Sequence, residues 1–144
     1  MPKPESNKDN TNKDNQPEQK LPEHIKMLSE ANVIYKNDNY ETRELQFPDP
    51  TGRTAFSITI TRLFPGRQTR GHSPIDQTGN ELYSFLRGEG ICLLHNNAYF
   101  VRPGMQLLVH IDKWVKLVNT SSTTDLVFQT YVAGHYKRPD VARK

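Results

Sequence analysis

The side chains of this chain with the most chemistry in them fall in two short stretches. In the first, Gly66, His72, Pro74, Glu81 and Gly88 are separated by five, one, six and six residues. In the second, Gly104 and His110 are five residues apart and are followed by Val115 and Asn119. A histidine and a glutamate brought to one place can move a proton on a substrate or help to hold a divalent ion. An acid aimed into a β-barrel is uncommon and usually functional, so Glu81 is read as a site residue rather than a solvated strand charge. His72 on its own would be a hydrogen-bonded surface histidine; its register with Gly66, Glu81 and Gly88 moves it to the site lining. Tyr83 and Tyr131 read equally as core aromatics or site residues, and Thr61 is a weaker candidate because threonine is common in strands. His95 reads as a surface residue, and Phe100 and Trp114 read as packing.

The elements that must position these groups are mostly strands. Ala55–Phe64 is rich in β-branched and aromatic residues and stops at Pro65-Gly66. Leu82–Leu86, Ile91–His95, Ala98–Val101, Met105–His110, Trp114–Val118 and Leu126–Val132 follow, several closed by a turn signal. Short strands at this spacing indicate an all-β sandwich or barrel. Asn96-Asn97 favours positive φ and suits a tight hairpin. Ahead of them Leu21, Ile25, Met27 and Leu28 share a helical stripe, so one short N-terminal helix is expected over 21–31. Residues 1–20 carry no apolar side chain after Met1 except three prolines, and their four lysines and four acids cancel. Such a segment cannot bury enough surface to offset the entropy of ordering it, and is expected to be a disordered polar tail on a domain spanning 21–144.

Charge and cysteine content narrow the partners. The net charge of +3 is concentrated in Lys137, Arg138, Arg143 and Lys144 at the C-terminal end, a pattern that favours solubility over nucleic-acid binding. Cys92 is the only cysteine, in an apolar run, and reads as inert packing. With no apolar leader and no run of membrane-spanning length, a cytoplasmic protein is expected, with neither nucleic acid nor membrane as partner.

The two spaced motifs are similar to the signatures of the cupins, whose barrels are double-stranded β-helices of the jelly-roll type. The likeness extends further. Thr69-Arg70-Gly71-His72 with Glu81-Leu82-Tyr83 resembles the Thr-x-Gly-His-x-His-x6-Glu-x-Tyr pattern of the cupin-type phosphoglucose isomerases. Leu28-Ser29-Glu30, Thr61–Gly66 and Tyr131-Val132-Ala133-Gly134-His135 resemble further stretches of that family, so the similarity spans about residues 27–138. It implies a homodimer that isomerises glucose 6-phosphate to fructose 6-phosphate, with Glu81 as base, His72 as acid or oxygen-polarising group, and His135 in ring opening or binding. It also implies a phosphate held by Thr61, Thr69, Gly71, Tyr83 and Tyr131, with Arg70 adding positive charge.

The departures from that pattern fall on the metal. Pro74 stands at one histidine position and Val115 at another, which leaves His72 and Glu81 of four implied ligands. Sites of this type need three or four protein donors, so no tightly bound metal is expected, and at most a weakly held divalent ion. Two functions are therefore carried forward: a sugar-phosphate isomerase with weakened or lost metal dependence, and a non-catalytic, metal-free cupin that binds a phosphosugar or related anion.

Overall fold

The computed structural model describes residues 21–22, 25–47, 56–73, 80–110 and 112–133. The tail assigned to 1–20, Pro74 and His135 lie outside them. The strands are β1 (Asn32–Lys36), β2 (Tyr40–Phe47), β3 (Phe56–Leu63), β4 (Glu81–Arg87), β5 (Gly90–Leu94), β6 (Asn97–Val101), β7 (Gln106–Val109), β8 (Val115–Asn119) and β9 (Leu126–Ala133). They form two antiparallel sheets, one in the order β1-β2-β3-β9-β4-β7 and one in the order β6-β5-β8. The sheets share one core: Leu63, Phe85, Leu126 and Phe128 of the larger pack with Cys92, Val101, Val115 and Leu117 of the smaller. Burial pushes the Cys92 thiol up to about 11, in keeping with its reading as inert packing. The architecture is all-β, as the strand pattern indicates, and is the jelly roll that the resemblance implies. Among the described residues no helix is long and apolar enough to cross a membrane.

Alternation along β3 sets the character of the interior. Ser57, Thr59, Thr61 and Leu63 point inward and are buried, while Ile58 and Ile60 stand on the outer face, half-buried. Side chains two apart share a face of a strand, so the register that buries Leu63 also turns three hydroxyls inward. Gly88, at φ 79°, closes the turn between β4 and β5, and a Cβ there would meet the carbonyl oxygen of Asp125 at 2.3 Å. Only glycine fits that approach.

Four local expectations need correction. Of the helix expected over 21–31, the described residues form one 3-10 turn at Leu28–Glu30, and Ile25, Met27 and Leu28 are exposed, so among the described residues the apolar stripe has little to pack against. β1 and β2 were not anticipated; in β2, Glu41, Arg43 and Glu44 mask the strand pattern. The β5–β6 hairpin turns at His95-Asn96, with positive φ (54°) at His95 and Asn97 already paired to Leu94. His95 is fixed there because its N–H donates to the Trp114 carbonyl (2.9 Å) while its Nδ1 accepts from the Trp114 N–H (3.1 Å). Phe100, on the sheet edge and read as packing, is 82% exposed, whereas Trp114, 38% exposed, does pack, its indole lying over Gly71.

Candidate functional site: a hydroxyl-lined cavity

Inward alternation on four adjacent strands builds one wall. Thr42 of β2 faces Thr61 of β3, with their hydroxyl oxygens 3.0 Å apart. Thr59 of β3 is paired with Thr130 of β9, which in turn is paired with Tyr83 of β4. All five are at least nine-tenths buried. Tyr40 and the ring of Phe128 complete this side.

The opposite wall is the irregular segment 67–72, hydrogen-bonded along β8. Thr69 N–H donates to the Leu117 carbonyl (2.8 Å), and Leu117 N–H donates back to Thr69 Oγ1 (2.9 Å). His72 and Val115 exchange a pair of backbone bonds (3.0 and 2.8 Å) and so stand directly opposite each other. The space between the walls is about 550 Å³ counted out to the open mouth, but only about 50 Å³ of it admits the centre of a water molecule. That is room for a few waters, or for one end of a small ligand.

At the inner end stand His72, Glu81 and Tyr83. The Tyr83 hydroxyl donates to Glu81 Oε2 (2.7 Å), and His72 Nε2 lies 3.3 Å from that hydroxyl and 3.4 Å from Oε2. Glu81 is wholly buried, does not line the cavity, and its Oε1 has no hydrogen-bond partner. An unsatisfied buried carboxylate oxygen is costly. Tyr83 and His72 line the cavity themselves, so a ligand meets them rather than the carboxylate.

The expected residues are thus partly gathered. His72, Thr61, Thr69, Arg70 and Tyr83 line the cavity. Tyr131 does not: β9 alternates Phe128, Thr130 and Val132 inward, which sends Tyr131 to the outer face, where its hydroxyl donates to Gln129 Oε1 (2.6 Å). Gly71 is covered by the indole of Trp114, which takes the space of a side chain there. Of the phosphate contacts that the resemblance implies, Tyr131 thus faces away from the cavity and Gly71 lies beneath a ring. Glu81 is set back from the cavity lining, with the hydroxyl of Tyr83 and the imidazole of His72 beside its carboxylate. Thr42, Thr59 and Thr130 were missed. Thr59 was readable, since it lies two residues from Thr61 and must share its face.

The metal site implied by the resemblance can be tested on these donors. Val115, directly across from His72, offers an isopropyl group, and Glu81 Oε2 already accepts from Tyr83. His110 and Asp112 are exposed. Among the described residues no three His, Cys, Asp or Glu side chains gather as donors. Two side chains fall short of the three or four that a tightly held divalent ion needs.

No family model matches the sequence, and no curated protein matches it. Solved structures do. An RmlC-like cupin from Shewanella frigidimarina is similar at a TM-score of 0.60 and 10% identity, over 81% of this chain and 94% of that one. The Cupin_2 domain of an XRE-family transcriptional regulator from Enterobacter cloacae is similar at 0.55 and 22%, over 70% and 100%. Hydroxypropylphosphonic acid epoxidase from S. wedmorenis is similar at 0.58 and 14%, over 75% and 58%. At these identities the likeness is one of fold: the chain has the cupin jelly roll, which carries both enzymes and regulator domains.

Proposed function

We propose that this cupin barrel is a metal-free binding module for a small hydroxylated anion of the sugar-phosphate class. One observation carries the reading. β3 turns Thr59 and Thr61 inward and its isoleucines outward, and Thr42, Thr130 and Tyr83 extend the hydroxyl wall across neighbouring strands. Thr42 and Thr61 bond each other and Tyr83 donates to Glu81, yet each hydroxyl can both donate and accept, so a wall of this kind offers further hydrogen bonds to a polyol, whose donors and acceptors match. Arg70 at the exposed rim supplies charge for an anion.

A sugar-phosphate isomerase, converting glucose 6-phosphate to fructose 6-phosphate, is the second reading. It is favoured by the convergence of His72, Glu81 and Tyr83. It ranks second because the carboxylate that would take the substrate proton is set back from the cavity lining. Thermal melts with and without glucose 6-phosphate, in a chelator, test the first reading. At about a hundred times its dissociation constant the ligand adds roughly 2.7 kcal/mol, a clear upward shift. No shift at any concentration overturns the module. Formation of fructose 6-phosphate by the wild type, lost in His72→Ala, establishes the isomerase instead.

A further inference from the structure

The polar groups of the cavity are sorted by depth. Thr42, Thr59, Thr61, Thr130 and Tyr83, at the inner wall, are uncharged and at most 6% exposed. The cations that line the cavity, Arg70 and Lys116, are on the segment 67–72 and on β8, and Arg70 is exposed. Lys116 lies between Val115 and Leu117, both buried in the core, so strand alternation sends its side chain to the other face of β8. Among the described residues Arg70 is then the cation placed to meet a ligand. The open space between the walls is small enough to take one end of a ligand, and burying a phosphate dianion among neutral hydroxyls costs far more than burying a sugar hydroxyl.

We infer that the ligand enters with its uncharged, hydroxyl-bearing end first, and that its phosphate stays at the mouth on the guanidinium of Arg70. This rests on the binding-module reading and reverses the seat that the resemblance implies for the phosphate. Specificity is divided accordingly: the buried threonines read the hydroxyls, and Arg70 reads the anion. Such an anion contact is solvent-exposed and weakens with salt, whereas the hydroxyl contacts do not.

Calorimetric titration with glucose 6-phosphate at low and high salt, on the wild type, Arg70→Ala and Thr59→Val, separates the two ends. Arg70→Ala is expected to weaken binding about tenfold or more and to abolish its salt dependence, with an unchanged melting temperature. Thr59→Val is expected to weaken binding about three- to tenfold while the salt dependence remains. Inorganic phosphate is expected not to displace the sugar phosphate, because the rim alone holds it poorly. Unaltered affinity in Arg70→Ala, or displacement by inorganic phosphate at matched concentration, overturns the orientation and leaves the module standing. A wild type that does not bind glucose 6-phosphate overturns both.

Discussion

At position 71 the chain carries no side chain, and the indole of Trp114 uses the space; a Cβ there would fall 1.9 Å from a ring carbon. The contact presses the segment that carries Thr69, Arg70 and His72 against β8. Gly71→Ala must displace the ring, at a cost of about 1–3 kcal/mol for overpacking, and loosen that cavity wall. If the ring alone is responsible, Gly71→Ala made on a Trp114→Ala background costs almost nothing, and a double-mutant cycle by chemical denaturation reads the coupling. Equal costs on both backgrounds would place the strain elsewhere. At this scale the sequence was informative about type and less so about direction. His72, Thr61, Thr69 and Tyr83 line the cavity because motif spacing fixed their register. Tyr131 was assigned to the site by likeness, but one step of alternation on β9 decides its face, and Thr130 holds the inward position. The burial of Glu81 behind Tyr83 depends on packing between strands, which no spacing encodes.

β2 shows how a strand can hide in a charged sequence. Glu41, on this strand, is buried, its Oε1 accepting from Arg43 Nε at 2.8 Å and its Oε2 lying 3.8 Å from Lys36 Nζ. The hydrogen bond from Arg43 holds the Glu41 carboxyl below its ordinary value of 4.5, against the opposing effect of burial, with the charges of Arg43, Lys36 and Arg62 helping. A carboxyl lowered in the folded state contributes stability that is fully present above the unfolded value and is lost as the pH falls through the folded one. Denaturant titrations between neutral and acid pH are therefore expected to show stability falling below pH 4.5 more steeply in the wild type than in Glu41→Gln. Identical acid limbs would remove Glu41 from the acid response. The same pairing explains why β2 escaped a reading based on apolar alternation: its buried positions include two glutamates and a threonine. The N-terminal helix was over-read for the opposite reason. Its apolar spacing is helical, yet the described residues offer Ile25, Met27 and Leu28 nothing to pack against, and helices draw most of their stability from such packing.

Across the whole molecule, seven strands of an all-β fold were legible because glycine-closed turns and short apolar runs repeat at barrel spacing, and the jelly roll itself was legible only through the spaced motifs that carry the resemblance. The chemistry of the interior was not, because it follows from which face each strand turns inward. Two sheets that meet over Phe85, Leu117 and Phe128 leave a hydroxyl-lined gap, and the isopropyl group of Val115 stands opposite His72. The account of the molecule as a binding module stands on that gap functioning without a metal ion. Its most direct test is one calorimetric titration of the wild-type chain with glucose 6-phosphate, repeated after exhaustive chelation. Saturable binding to one site per chain is expected, with the same dissociation constant before and after chelation. Binding that disappears on chelation and returns with an added divalent ion would contradict it.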